Sequence, residues 1–91
     1  MIEICLLGST GSIGGQVLDI VREKRDDYRI TALSFGHNID KALAIIEEFE
    51  PEYVACLTEE DARILKVNFP NLEVGLGNMG LQSVVTYPSV N

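Results

Sequence analysis

The fold is decided at the amino terminus, where Ile2–Leu7 (IEICLL) is followed at once by Gly8–Gly14 (GSTGSIG). The first stretch is almost continuously apolar, which is the pattern of a parallel β-strand covered on both faces. The second is rich in glycine and leads into a segment where Ile13, Val17 and Ile20 recur at helical spacing. A strand, a glycine-rich turn and a helix in this order provide the context that a dinucleotide-binding fingerprint requires.

The alternation of strands and helices continues along the rest of the chain. Apolar runs predict further strands at Arg29–Phe35, Tyr53–Leu57 and Leu72–Val74. Helices are predicted between them, with Asn38 and Thr58 as the residues that cap their amino ends. The order βαβαβαβ predicts an α/β fold with a Rossmann-like parallel sheet, which amounts to a partial NAD(P)-binding domain.

Length, charge and cysteine content narrow the class of protein. Ninety-one residues, 46% of them hydrophobic, make one small domain or part of one, and the net charge of −7 argues against nucleic-acid binding. The two cysteines fall in apolar runs, which favours buried thiols over a disulfide. The sequence shows neither a signal peptide nor an apolar run long enough for a membrane span, so we expect a cytoplasmic protein with no membrane partner.

The glycine-rich turn is the first candidate binding element. Gly8 allows a tight turn, Gly11 leaves room for a pyrophosphate near the backbone, and Gly14 allows close packing of helix and strand. We expect the backbone amides of Thr10–Ile13 to point outward at a helix N-terminus, where the helix dipole favours an anion. Thr10, Gly11, Ser12 and Ile13 are therefore candidate cofactor-binding residues. The alternative is a glycine-rich turn that binds no ligand.

The segment after the second strand is the second candidate element. An NAD-binding domain carries an acidic residue there for the ribose hydroxyls, whereas this chain has Gly36, His37 and Asn38 and no carboxylate before Asp40. An acid would repel a 2′-phosphate, so its absence favours NADPH over NADH. Histidine and asparagine can both donate hydrogen bonds to that phosphate. Alternatively, His37 is an exposed loop residue and Asn38 a helix cap.

Leu7–Gly14, followed by Val17–Val21 (VLDIV), closely resembles the opening of the 1-deoxy-D-xylulose-5-phosphate reductoisomerase family. Further matches occur in order along the chain, at Ala32-Leu33, Gly36, Asn38, Glu48-Phe49, Pro51, Val54-Ala55, Gly77, Gly80 and Leu81. This chain departs from the family in having Val17 for Thr, His37 for Lys or Arg, and Met79 for Glu. The second departure implies a weaker and pH-dependent contact with the 2′-phosphate.

The resemblance implies an enzyme of non-mevalonate isoprenoid biosynthesis. Such an enzyme isomerises and reduces 1-deoxy-D-xylulose 5-phosphate to 2-C-methyl-D-erythritol 4-phosphate, with NADPH and a divalent metal, Mg²⁺ or Mn²⁺. It also implies that the catalytic, metal-binding and sugar-phosphate-binding residues come after Asn91. Residues 1–91 would then form the N-terminal part of the NADPH-binding domain, inactive alone. Alternatives are the NADP domain of another small-molecule dehydrogenase, such as aspartate-semialdehyde dehydrogenase, or a non-catalytic nucleotide-sensing domain.

For the last segment of the chain, local propensity and the family pattern predict different secondary structures. Val84–Thr86 is β-branched, which favours a strand, whereas the resemblance implies a short helix from Gly80 to about Thr86 that ends before Pro88. The resemblance also implies that the strand beside Ile2–Leu7 begins only after Asn91, so that within this chain Ile2–Leu7 has no strand partner on one side. An apolar strand with a free edge favours association with a second chain, so we expect a homo-oligomer.

Overall fold

The computed structural model describes residues 1–87, in which four strands alternate with four helices. The strands are β1 (Ile2–Leu6), β2 (Tyr28–Ser34), β3 (Tyr53–Cys56) and β4 (Glu73–Leu76). The helices are α1 (Ser12–Glu23), α2 (Ile39–Phe49), α3 (Glu59–Asn68) and α4 (Gly77–Val85). The predicted βαβαβαβ order is confirmed, and α4 follows it.

The sheet is parallel throughout, with its strands in the order β1-β2-β3-β4. The pairing of β1 with β2 contains one irregularity, because Ile4 lies opposite Ile30 while Cys5 lies opposite Ala32. Thr31 is therefore an extra residue in β2, and its hydroxyl donates to a carboxylate oxygen of Glu3 at 2.9 Å. In the described part of the chain, β1 forms one edge of the sheet.

The two faces of the sheet are covered unequally. Val54 and Cys56 of β3 belong to the larger core, which also contains buried side chains of the first three helices: Leu18, Val21, Ala42, Ile45, Ile46, Phe49 and Leu65. Their neighbours Tyr53 and Ala55 point to the opposite face and pack with Val84 of α4. Because alternate residues of a strand point to opposite faces, α1–α3 and α4 lie on opposite sides of the sheet.

The carboxyl-terminal part of the chain confirms one prediction and corrects another. The segment from Gly80 to Val85 is helical, as the resemblance implied, and the helix begins at Gly77. The predicted strand at 72–74 is observed at Glu73–Leu76, so Gly75 is in the strand and not in a turn. A Cβ on Gly75 would lie 1.7 Å from the Tyr53 hydroxyl oxygen, so this glycine makes room for a tyrosine. Pro88 lies outside the described residues.

Candidate functional site

The glycine-rich turn is anchored to the carboxyl end of β2 by backbone hydrogen bonds. The amide of Ser9 donates to the Ser34 carbonyl oxygen at 2.8 Å, and the amide of Gly8 donates to the Ser34 hydroxyl at 3.0 Å. Gly8 has a φ of +67°, a left-handed conformation in which a side chain is strained. Ser34 is buried and was not singled out by the sequence analysis. The available signal was a hydroxyl at the end of an apolar strand.

Close packing of α1 against the turn depends on Gly14. A Cβ built on Gly14 would lie 2.4 Å from the Gly8 carbonyl oxygen and 2.9 Å from the Ser9 Cα, and both are backbone atoms that cannot easily move. The third glycine was predicted to allow close packing of helix and strand, and the structure shows close packing of α1 against the turn that follows β1. Gly11 is less crowded, since its Cβ would lie 3.4 Å from the same oxygen.

The amino end of α1 presents backbone donors, with one correction to the sequence analysis. The amide of Gly11 donates to the Gly8 carbonyl oxygen at 3.0 Å and closes the turn, so it is not free for a ligand. Gly11 occupies the N-cap position without a side-chain capping bond, and Ser12 and Ile13 form the first turn of the helix. The first amides of a helix have no partner within it, so Ser12 and Ile13 can donate to an anion. Both residues are exposed.

The second candidate element lies between β2 and α2. The Asn38 side-chain oxygen accepts a hydrogen bond from the Lys41 amide at 3.1 Å, which confirms Asn38 as the N-cap. The cap uses the side-chain oxygen, so the side-chain NH₂ group keeps its donors for another partner. His37 is exposed and Gly36 is half-buried. The first carboxylate after β2 is that of Asp40, which lies in the first turn of α2.

Lys41 connects these two elements directly. Its ammonium nitrogen donates to the Thr10 carbonyl oxygen at 3.1 Å, which ties the start of α2 to the glycine-rich turn. Lys41 also lines a groove of about 390 Å³ together with Gly11 and Ser12. Of the predicted residues, only Gly11 and Ser12 line the groove, and the second candidate element, Gly36–Asn38, does not. Sequence analysis missed Lys41, although it is the first lysine or arginine after the second strand.

The walls of this groove are held together by an ion-pair network. Arg22 of α1 forms salt bridges with Asp19 on the same helix and Glu48 on α2. The hydrogen bond from Arg22 lowers the pKa of the Glu48 carboxyl below its usual range. Arg25 also pairs with Glu48, and both guanidinium groups lie over the Phe49 ring, at 4.6 and 5.2 Å from its centroid.

A larger groove, about 670 Å³, lies at the opposite end of the sheet. It is formed where α2 and α3 end and where β3 and β4 begin. Its lining includes four carboxylates, those of Glu47, Glu50, Glu52 and Glu73. Like charges repel, so this groove is unsuited to a phosphorylated ligand despite its size.

The described residues contain few other groups that could bind a metal ion or react. Within residues 1–87, no set of three or more His, Cys, Asp or Glu side chains is placed to hold a metal ion. Cys5 and Cys56 are both free thiols, and burial raises the pKa of each above its ordinary value. No helix in this part of the chain has the length and apolarity to cross a membrane.

The parallel sheet, the glycine-rich turn after its first strand and the donors at the start of α1 define a nucleotide-binding α/β domain. The family model of 1-deoxy-D-xylulose 5-phosphate reductoisomerase matches residues 4–91, and the chain belongs to this family. The alternatives of another dehydrogenase or a nucleotide sensor are not favoured.

Named relatives and a solved structure agree with the family assignment. The reductoisomerase of Listeria monocytogenes serotype 4b is 48% identical over 87 residues, which are 96% of this chain and 23% of the relative. That of Bacillus pumilus is 54% identical over 63 residues, 69% of this chain and 16% of the relative. A crystal structure of DOX-P reductoisomerase with NADPH, fosmidomycin and magnesium matches with a TM-score of 0.89 at 28% identity, covering all of this chain and 23% of its own. The chain thus spans about a quarter or less of its relatives' length.

Proposed function

We propose that this chain binds the adenosine and pyrophosphate end of NADPH, as part of a 1-deoxy-D-xylulose-5-phosphate reductoisomerase. The observation that carries the proposal is the glycine-rich turn, against which α1 packs closely at Gly14, with uncapped amides at the start of α1. The family relationship supports the identity of the cofactor, because a solved structure of a relative contains NADPH.

The pyrophosphate is assigned to the glycine-rich turn. The amides of Ser12 and Ile13, together with the hydroxyls of Thr10 and Ser12, supply hydrogen-bond donors to its oxygens. The absence of a Cβ at Gly11 leaves the backbone open to close approach. The overall charge of −7 repels an anion, so these local donors and the dipole of α1 must supply the attraction.

The adenosine ribose and its 2′-phosphate are assigned to Gly36, His37 and Asn38. The loop carries no carboxylate that would bond to a free 2′-hydroxyl and repel a phosphate. The side-chain NH₂ of Asn38 can donate to the phosphate while its oxygen caps α2. His37 is exposed and contributes a second donor through its ring N–H.

The rest of the reaction is assigned to residues outside this chain. When bound, NADPH supplies the hydride that reduces the isomerised sugar phosphate. Mg²⁺ or Mn²⁺, the sugar-phosphate substrate and the catalytic residues are assigned beyond Asn91. Residues 1–91 are accordingly the amino-terminal part of the cofactor domain, and we expect them to turn over no substrate alone.

Two wider assignments belong to the same proposal. Association of the 91-residue chain with a second copy is supported by the edge position of β1 within residues 1–87, where Ile2 is 52% exposed and Leu7, which follows the strand, is 51% exposed. A cytoplasmic location is supported by the two free thiols, which suit a reducing compartment.

Calorimetric titration of the 91-residue chain with NADPH and NADH tests the proposal. NADPH should bind more tightly, and 2′-phosphorylated adenine nucleotides should compete better than their 2′-hydroxyl counterparts. Circular dichroism of the same sample reports whether the chain is folded. A folded chain that binds both dinucleotides equally, or neither of them, contradicts the proposed function.

A further inference from the structure

The ammonium group of Lys41 occupies a distinctive position between the two candidate binding elements. It lies 3.1 Å from the carbonyl oxygen of Thr10, in the glycine-rich turn, while its own residue belongs to the first turn of α2. The β2–α2 loop, which is the proposed site of the 2′-phosphate, immediately precedes that turn. The backbone amide of Lys41 donates to the Asn38 side-chain oxygen at 3.1 Å, so this one residue contacts both segments.

We propose that Lys41 binds the 2′-phosphate of NADPH and is the main cationic determinant of cofactor choice in this chain. The inference rests on the proposed function and extends it, since neither the glycine pattern nor the missing acid after β2 identifies this residue. An ammonium group has three N–H donors, of which the Thr10 carbonyl takes one. The remaining two are available to phosphate oxygens without breaking the link between α2 and the turn.

The other charged groups around the groove favour this assignment. Arg22 also lines the groove, but its guanidinium is paired with the carboxylates of Asp19 and Glu48. Within residues 1–87, no carboxylate oxygen lies within the 4.0 Å salt-bridge distance of the Lys41 ammonium. Lys41 is therefore a cation whose charge is not matched by an acid in contact with it.

The test compares Lys41→Gln and Lys41→Arg with a control on another helix. Glutamine keeps a side-chain donor for the Thr10 carbonyl but removes the charge, whereas arginine keeps the charge. Lys66→Gln is the matched control, because the Lys66 ammonium likewise donates to backbone carbonyls, those of Pro70 and Leu72, far from the groove. Each variant is titrated with NADPH and with NADH.

Lys41→Gln should weaken NADPH binding by about five- to tenfold and NADH binding by less than about twofold, as expected for loss of an exposed charge-assisted hydrogen bond to phosphate. Lys41→Arg should retain most of the affinity, and Lys66→Gln should change neither titration. The loss in Lys41→Gln should shrink at high salt, because an exposed charge is screened.

Two results would overturn the inference. If Lys41→Gln weakens NADPH and NADH equally, the lysine only positions the turn or contacts the pyrophosphate. If the variant still prefers NADPH as strongly as the unaltered chain does, the charge is not at the 2′-phosphate. Both results leave the proposed function standing, whereas failure of the unaltered chain to prefer NADPH counts against the proposed function itself.

Discussion

The two ends of the sheet differ in size, charge and construction. At the carboxyl end, the groove beside the glycine-rich turn is the smaller one, about 390 Å³, and it carries backbone donors and the Lys41 ammonium. At the amino end, the groove is about 670 Å³ and carries four carboxylates. For a phosphorylated ligand, the charge of the lining matters more than the volume, and the carboxyl end combines backbone donors with an ammonium group.

The difference follows from how parallel strands and helices are joined. At the carboxyl end of each strand a helix begins, so free amides and the positive end of the helix dipole collect there. At the amino end the preceding helices finish, and their carbonyl groups and the glutamates of α2 give that edge a negative character. The same topology thus produces a binding edge and an edge that excludes anions.

The largest effect is expected from Gly14→Ala, which disturbs the packing of α1 against the glycine-rich turn at the carboxyl end of the sheet. The added Cβ would lie 2.4 Å from the Gly8 carbonyl oxygen and must displace backbone. Overpacking of this kind costs about 1–3 kcal/mol, a serious loss for so short a chain, and NADPH binding should be lost with the turn. Urea denaturation and calorimetric titration measure the two effects.

The neighbouring glycine provides the control for that experiment. A Cβ on Gly15 meets no atom within 4 Å, and Gly15 lies in the same helix. Gly15→Ala should therefore stabilise the chain by about 0.5–1 kcal/mol, since alanine is the better helix former. Equal effects of the two substitutions would show that the close contact at Gly14 does not hold the turn.

Much of the carboxyl end could be predicted from local sequence. Glycine spacing, strand apolarity and helix caps are properties of neighbouring residues, so the turn, the cap at Asn38 and the order of elements followed from them. The family pattern added the helix at Gly80–Val85, which the β-branched residues alone would have placed in a strand. Packing of α4 against β3 through Val84 explains why propensity is overridden.

The contacts between distant residues could not be predicted in the same way. Ser34 bonds to Gly8 across 26 positions and Lys41 bonds to Thr10 across 31, and no local pattern encodes either pair. The extra residue at Thr31 and the tyrosine above Gly75 likewise depend on register between strands. The predicted strand ended at Val74, one residue before Gly75, whereas the observed strand includes this glycine because it allows the close approach of Tyr53.

A further prediction tests the carboxyl end by placing a permanent positive charge at residue 37. His37→Arg should tighten NADPH binding by about two- to fivefold, because a guanidinium is always charged and can donate two hydrogen bonds to one phosphate. NADH binding should be unchanged, since it has no 2′-phosphate. Titrations of both dinucleotides at pH 6 and pH 8 provide the measurement. An arginine variant that binds NADPH no better at pH 8 would remove His37 from the proposed site.

The smallest effect is expected at the amino end, where Glu50 has a left-handed backbone with a φ of 49°. It occupies the C-cap of α2, a position where glycine adopts this conformation without strain. Glu50→Gly should therefore stabilise the chain by about 0.5 kcal/mol in urea denaturation, the gain being limited by the greater entropy of glycine in the unfolded state. Because the proposed cofactor site lies at the other end of the sheet, the affinity for NADPH should stay within about twofold, apart from a slight gain from the lost negative charge.

Two further substitutions separate the causes of that stabilisation. Glu50→Gln removes the charge but keeps the strained conformation, so it should yield less stability than glycine if backbone geometry dominates. Glu47→Gly removes a charge from the same groove but places glycine inside α2, where it should cost about 1 kcal/mol. If Glu50→Gln stabilises the chain as much as Glu50→Gly, the destabilising factor is repulsion among the groove carboxylates and not the backbone conformation of residue 50. If any of these three variants weakens NADPH binding severalfold without unfolding the chain, substitutions at the amino end affect binding at the carboxyl end. The two ends of the sheet are then not independent, and the proposed contrast between a binding edge and an acidic edge is wrong.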